Sequence, residues 1–272
     1  MQKVAASLKR KGRTIGFVPT MGALHEGHLS LIRRARREND VVMVSIFVNP
    51  AQFGPREDYK KYPRGLGRDA LLCRRAGADI IFAPAARTMY PAGFKTFVEV
   101  ERLGTTLCGA SRPGHFRGVT TVVAKLFNIC LPSRAYFGAK DAQQAAIIRR
   151  MAEDLNMPLS VKVLPTVRGK DGLALSSRNA YLSPRQRQDA LVLSQSLAKA
   201  AAMVRAGERD PRELIRAIAR EISRAQSSRV DYIAVVDPET LEPVERLSGK
   251  ALVLLAVWIG KARLIDNTLV RT

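Results

Sequence analysis

TIGFVPTMGALHEGHLSLI, Thr14 to Ile32, is the stretch on which the fold turns. It opens with an apolar run, Ile15 to Val18, of strand length. Pro19-Thr20-Met21-Gly22 reads as a turn, and Leu29, Leu31 and Ile32 then recur at helical spacing. The order is therefore strand, glycine-containing turn, helix start. A helix N-terminus carries unpaired N–H groups and partial positive charge, which suits phosphate. His25 and His28 lie three apart around Gly27, a residue without a side chain that lets a ligand approach the backbone. Two imidazoles there can donate hydrogen bonds to oxygens that gain charge during transfer.

Working outward, Val41 to Val48 is a second apolar run, of the kind buried on both faces of a parallel sheet. It ends in Asn49-Pro50-Ala51-Gln52-Phe53, at the strand end where α/β sheets bind ligands. A helix is predicted over Leu66–Ala76 and a strand over Asp79–Ala83. Phe94 to Val100 alternates as a strand does. Cys108 to Gly118 is a glycine- and arginine-bearing loop ahead of a helix over Val119–Ile129. Ala135–Phe137 and Val161–Leu164 read as strands, separated by Gly138-Ala139-Lys140-Asp141 and a helix to about Leu155. This alternation predicts an α/β fold with a doubly wound, mostly parallel sheet. From Pro184 the texture changes. Helices are predicted over Pro184–Arg205 and Pro211–Ala225, and strands over Val230–Val236, Ala251–Ile259 and Ala262–Ile265, a smaller C-terminal α+β domain.

The chain has 272 residues, 46% hydrophobic and 25% charged, ordinary for a globular protein. Its N-terminus lacks the long apolar core of a signal peptide, and its longest apolar run, Ala251 to Ile259, is strand-sized. Cys73, Cys108 and Cys130 show no CxxC spacing, so the reducing cytoplasm is the expected compartment. The net charge of +21 comes from 45 basic and 24 acidic residues. The basic residues are scattered as pairs such as Arg33-Arg34 and Lys60-Lys61, without an aromatic-interleaved basic strand. A surface attractive to polyanionic nucleotides is expected, not specific nucleic-acid recognition.

Several side chains stand where chemistry is expected. Asn49 and Gln52 can orient a small polar substrate without adding charge, although Asn49 serves equally as a cap before Pro50. Lys140 and Asp141, at a strand-to-helix turn, can meet phosphate and ribose hydroxyls, or open a solvated helix. Gln144 lies one turn further on. Ser176-Ser177-Arg178 offers two hydroxyls and a fixed cation to a triphosphate, or caps a turn. Arg112 and His115 can serve a carboxylate. No Asp, Glu or His cluster has metal-cage spacing, so a cation such as Mg²⁺ would be held mainly through a ligand's phosphates.

His25-Glu26-Gly27-His28 resembles the HxGH signature of the nucleotidyltransferase and class I aminoacyl-tRNA synthetase superfamily. VPTMGALHEGHLSLI in full resembles the pantothenate synthetase (pantoate–β-alanine ligase) family. Further blocks follow in family order: FVNPAQF, EDYKKYPR (Glu57–Arg64), SRPGHFRG, GAKDAQQ, LSSRN and, near the C-terminus, ARLIDN. The resemblance covers nearly the whole chain. It implies a Rossmann-like domain over residues 1–175 that binds nucleotide and pantoate, with residues 176–272 closing over the site. It implies ATP contacts from Met21, Gly22, Ala23, Leu24, His25, Glu26, Gly27 and His28. Gly138, Ala139, Lys140, Asp141, Val167, Leu175, Ser176, Ser177 and Arg178 complete that set. His25, His28, Lys140, Ser176, Ser177 and Arg178 are implied to carry the chemistry. Gln52, Gln144, Asn49, Arg112 and His115 are implied to bind pantoate or β-alanine. Ala139 stands where the family usually has glutamate, so whatever that side chain contributes is missing. A cytoplasmic homodimer is implied, as is ATP-dependent joining of pantoate to β-alanine through an adenylate. The rivals are a related enzyme moving AMP or CMP onto a phosphate ester, and a basic nucleotide- or RNA-binding protein. The first needs extra basic contacts for its substrate where this chain offers Gln52 and Gln144.

Overall fold

The computed structural model describes every residue of the chain except Arg56. The chain divides into two compact units, one of Met1–Ala139 with Gln144–Pro165 and one of Lys140–Gln143 with Thr166–Thr272.

In the first unit a helix not anticipated from sequence, α1 (Gln2–Arg10), leads into β1 (Ile15–Thr20). There follow α2 (Glu26–Glu38), β2 (Val41–Ile46), α3 (Leu66–Ala76), β3 (Ile80–Phe82), the short α4 (Ala86–Met89) and α5 (Cys108–Ser111), α6 (His115–Cys130), β4 (Arg134–Gly138), α7 (Ala142–Asp154, which starts in the other unit's segment) and β5 (Ser160–Leu164). The strands form a parallel sheet in the order β3-β2-β1-β4-β5. Alternation along each strand divides the core in two. Ile15, Phe17, Met43, Ala135 and Phe137 pack with α1, α6 and α7 residues such as Ala5, Phe127 and Met151. Val18, Val42, Val44 and Tyr136 pack with Leu31, Ile32 and Ala35 of α2 and with Cys73 and Ala76 of α3. Both faces are covered, which is why these strands read as continuous apolar runs. The strand order reverses between β1 and β4, so the turns after those strands flank the switch point where such sheets take ligands.

Phe94–Val100 does not form the strand its alternation predicts. At its centre the main-chain groups of Val98 pair with α6 side chains instead: Val98 N–H donates to Thr121 Oγ1 at 3.0 Å, and Thr120 Oγ1 donates to the Val98 carbonyl at 2.5 Å. With both its main-chain groups spent on a helix, Val98 has none to give a strand ladder.

In the second unit α8 (Pro184–Arg205) begins with a Ser183–Gln186 capping box, and α9 (Pro211–Ile222) with Asp210 as cap. They precede the antiparallel sheet β6 (Ser228–Val236), β7 (Lys250–Ile259) and β8 (Ala262–Arg271). Leu193, Leu197, Leu214 and Ile218 pack on Val253, Leu255 and Val257. β8 runs well past the predicted Ile265, pairing with β7 as far as Arg271. Among the described residues no helix is long and apolar enough to cross a membrane.

Candidate active site

β1 closes on its own last side chain. Thr20 Oγ1 donates to the Ser45 carbonyl at 2.8 Å and accepts from Gly22 N–H at 3.2 Å. The chain then turns through the left-handed region at Gly22 (φ 85°) and Ala23 (φ 52°). Asp69, in the first turn of α3 and 1% exposed, holds this turn: its two oxygens accept from Ala23 N–H and Leu24 N–H, both at 2.9 Å. A Cβ at Gly22 would lie 2.9 Å from Asp69 Oδ2. Nothing in the sequence sets Asp69 apart, because an acid in a first helical turn is also what the helix dipole favours.

α2 is capped by imidazoles. His25 Nδ1 accepts from Gly27 N–H at 3.2 Å, and His28 Nδ1 accepts from His25 N–H at 3.4 Å, a reciprocal capping box. The ring centroids are 4.2 Å apart. A backbone N–H only donates, so each Nδ1 presents its lone pair and each neutral ring carries its proton on Nε2. A Cβ at Gly27 would sit 2.9 Å from His25 Cε1 and Nδ1. The glycine thus admits the His25 ring itself, where the sequence suggested room for a ligand. Gly27 N–H is spent on that ring and His28 N–H on the His25 carbonyl at 2.8 Å. The N–H groups of Gly27 and His28 at the helix start are therefore spent within the turn.

The loop after β2 is a closed network. Asn49, 1% exposed, accepts at Oδ1 from Ala51 N–H (3.3 Å) and the Tyr90 hydroxyl (2.8 Å), and donates through Nδ2 to Gln52 Oε1 and the Gly118 carbonyl, both at 3.1 Å. Its amide is fully occupied, so it orients Gln52. Burial pushes the Tyr90 phenol up to about 12, against the Asn49 hydrogen bond. Gln52, 8% exposed, also donates through Nε2 to Met21 Sδ at 3.0 Å, which joins this loop to the turn after β1. Arg112 binds Glu57 through Nε (2.7 Å) and Nη2 (2.6 Å) and donates through Nη1 to His115 Nε2 (3.0 Å). His115 Nδ1–H in turn donates to the Gln52 carbonyl at 2.8 Å. Arg112 and His115, expected beside a substrate carboxylate, are here gathered on Glu57 and the Gln52 main chain. Burial raises the Glu57 carboxyl, but the hydrogen bonds and charge of Arg112 outweigh it and hold the group below the ordinary glutamate range. α6 lies close because residue 118 is glycine: a Cβ there would be 2.1 Å from the Ala51 carbonyl oxygen.

Gly138 ends β4 opposite Leu164 of β5, Ala139 follows it, and Gln144 lies half-buried in the first turn of α7. In the second unit, Lys140 Nζ lies 3.9 Å from Asp141 Oδ1. Val167 and Leu175 face each other across a tight turn, Leu175 N–H donating to the Val167 carbonyl at 3.0 Å. Ser176 Oγ caps the 3₁₀ turn Ser177–Tyr181 by accepting from Arg178 N–H at 3.2 Å. A capping hydroxyl keeps its own proton to donate. Asn179, not singled out from sequence, donates to the Ala174 carbonyl at 3.1 Å and leaves a buried, unpaired Oδ1.

A doubly wound parallel sheet with an imidazole pair capping the helix after its first strand is the framework of a nucleotide-using α/β enzyme. The pantoate-beta-alanine ligase family profile matches residues 1–269. The chain is 62% identical to the pantothenate synthetase of Heliobacterium modesticaldum, over 96% of this chain and 93% of that one. It is 57% identical to that of Moorella thermoacetica, over 98% and 94%. The crystal structure of the pantothenate synthetase from Thermus thermophilus superposes with a TM-score of 0.93 at 50% identity, covering 97% of this chain and 96% of that one. A pantoate-beta-alanine ligase from Francisella tularensis, crystallised with beta-gamma ATP and beta-alanine, superposes at 0.80 and 38% identity, over 98% and 95%. The chain belongs to the pantoate–β-alanine ligase family: it is an ATP-using ligase of pantothenate biosynthesis that joins pantoate to β-alanine.

Proposed function

We propose that the ligation runs through a pantoyl adenylate. A pantoate carboxylate oxygen attacks the α-phosphorus of ATP, the bond from that phosphorus to the bridging oxygen breaks, and pyrophosphate leaves. The β-alanine amine then attacks the acyl carbon and gives up a proton to solvent, and AMP departs with the bonding pair. His25 and His28 donate through Nε2 to phosphate oxygens as charge builds on them. Lys140, Ser176, Ser177 and Arg178 supply further donors and positive charge to the triphosphate, and Asp141 takes the ribose hydroxyls. Met21–Glu26, Gly27, Gly138, Ala139, Val167 and Leu175 line the nucleotide. Gln52 and Gln144 hold pantoate, with Asn49, Arg112 and His115 acting through Gln52. Residues 1–175 bear the nucleotide- and pantoate-binding groups, and residues 176–272 form the smaller domain, which adds Ser176, Ser177 and Arg178.

The observation that carries this scheme is the reciprocal imidazole cap, which fixes both rings with Nδ1 as acceptor and Nε2 as donor. Thiol chemistry offers no competing route through Cys73 or Cys130, since burial pushes their thiols up to about 11 and about 12. Among the described residues no three His, Cys, Asp or Glu side chains are gathered to hold a metal. Mg²⁺ bound to the ATP phosphates would supply charge neutralisation there, beside Lys140 and Arg178. ATP and β-alanine as ligands are supported by the Francisella tularensis complex. The protein acts as a cytoplasmic homodimer without a specific nucleic-acid partner, which sedimentation of the purified chain at micromolar concentration tests for assembly. The mechanism is tested by pyrophosphate exchange into ATP with enzyme, Mg²⁺ and pantoate but no β-alanine. Robust exchange is expected. Its absence, with ADP as the final product, would replace the adenylate with an acyl phosphate.

A further inference from the structure

The C-terminal motif ARLIDN, Ala262–Asn267, has no part in the scheme above. It lies on β8 and ends in Asp266 and Asn267, 2% and 9% exposed. Asp266 takes the Arg168 guanidinium with both oxygens, at 2.6 Å from Nη1 and 2.9 Å from Nη2. Arg168 also donates to the Gly172 carbonyl at 3.2 Å, so the pair ties β8 to the turn that leads into Ser176–Arg178. Asp266 Oδ1 accepts Asn267 N–H at 2.8 Å, which fixes the strand at the next residue. Asn267 Nδ2 then donates to the main-chain carbonyl of Lys140 at 2.9 Å, across 127 residues of sequence.

Lys140 occupies a single 3₁₀ turn, Ala139–Asp141, ahead of α7. Such a turn lacks the repeated ladder that fixes a helix interior, so its main chain needs partners from elsewhere. A lysine is a point charge on a flexible four-carbon stem; where its ammonium can reach depends on where its Cα is held. We propose that Asn267 is a positioning residue for ATP activation. By holding the Lys140 carbonyl it sets the point from which Nζ reaches the triphosphate, and the Asp266–Arg168 pair holds the strand from which it does so. The proposal rests on the ATP role given to Lys140 above.

The test is a double-mutant cycle on adenylation, read as pantoate-dependent pyrophosphate exchange, with Asn267→Asp, Lys140→Ala and the two combined. Aspartate keeps the size of asparagine but, ionised, has no proton for the carbonyl. Asn267→Asp is expected to raise the ATP KM about tenfold, the scale of one lost hydrogen bond to a positioned group, and to leave the pantoate KM within about twofold. The combined variant is expected to be no worse than Lys140→Ala alone, because Asn267 acts through Lys140. An unchanged ATP KM in Asn267→Asp beside an impaired Lys140→Ala would overturn the positioning role and leave the ATP role of Lys140 standing. Losses that multiply in the combined variant would make Asn267 a structural residue only. Normal exchange by Lys140→Ala would remove the ATP role of Lys140, and this proposal with it. If Asn267→Asp does not fold, Asn267→Ser enters the same cycle with the same criteria.

Discussion

A helix that needed only an N-cap would take serine, aspartate or asparagine at position 25. Histidine does the capping with Nδ1 alone, so the cap and the donor role proposed for Nε2 can be separated by substitution. His25→Asn retains a short acceptor for Gly27 N–H but has no equivalent of Nε2–H at the imidazole's reach. Its unfolding free energy from urea denaturation is expected within about 0.5 kcal/mol of the parent, while pantoate-dependent pyrophosphate exchange falls by ~10²-fold. His25→Ala loses both and is expected to be about 1 kcal/mol less stable as well. Near-normal exchange in His25→Asn would detach the imidazole from the chemistry. Asp69 lends itself to a parallel argument. Its buried carboxylate satisfies two N–H groups of a turn that passes through left-handed backbone. Asp69→Asn replaces one acceptor with an amino group facing an N–H, for a loss of about 1–3 kcal/mol by urea denaturation and a weaker ATP KM. A variant with full stability and ATP KM would show that other contacts hold the turn. His25 and His28 were visible in the sequence as candidates because their type and spacing suggest chemistry in themselves. Asp69 was not, because its importance depends on which backbone groups α3 is packed against, and a local window does not contain them.

Elements place the loops, and α6 shows how closely. Its Gly118 lies against the Ala51 carbonyl and accepts Asn49 Nδ2, so the helix backbone is one wall of the loop that orients Gln52. Gly118→Ala forces the new Cβ against the Ala51 and Gln52 backbone, which a rotamer change cannot relieve. The expected cost is about 1–3 kcal/mol, with a several-fold rise in pantoate KM and little change for ATP. A rise for ATP instead would exchange the roles of the two loops. The Glu57–Arg112 pair braces the same loop and carries a sign in pH. The folded-state carboxyl titrates below its ordinary value, so the stabilisation is present above the unfolded value of about 4.3 and is lost as pH falls through the lower folded one. The pantoate KM is therefore expected to hold down through the ordinary glutamate range and rise only below it, and Glu57→Gln should abolish that break. A break at the ordinary value would mean that the pair does not form in solution. The elements were largely legible. Buried parallel strands are apolar runs, α8 is announced by Ser183-Pro184, and Leu66–Ala76 folds over the span its pattern predicts. Phe94–Val100 misled because alternation shows which faces are buried without showing what the backbone pairs with, and here α6 threonines take both main-chain groups of Val98.

At the scale of the molecule the surplus charge has to be reconciled with a reaction among small molecules. Acidic side chains are outnumbered 24 to 45, and many of them are already paired, as in Glu26–Arg33, Asp79–Arg36 and Glu221–Lys199. The surplus is positive and spread over the surface, which raises the local concentration of anions without selecting among them. The reaction supplies its own control. ATP and pantoate are anions, whereas β-alanine is a zwitterion without net charge near neutral pH. Field attraction should therefore act on two of the three substrates. Screening shortens from about 30 Å at 0.01 M salt to about 10 Å at 0.1 M, so kcat/KM for ATP and for pantoate should fall over that range. The value for β-alanine should stay nearly flat. RNA retained at low salt should be released along the same axis, with a steep log–log slope and no sequence preference. Steady-state kinetics for each substrate at matched ionic strengths, beside filter binding of two unrelated RNAs, measures both. An equal salt response for all three substrates would show that salt acts on the fold and not on encounter. An RNA complex that survives high salt and prefers one sequence would give the charge a specific partner.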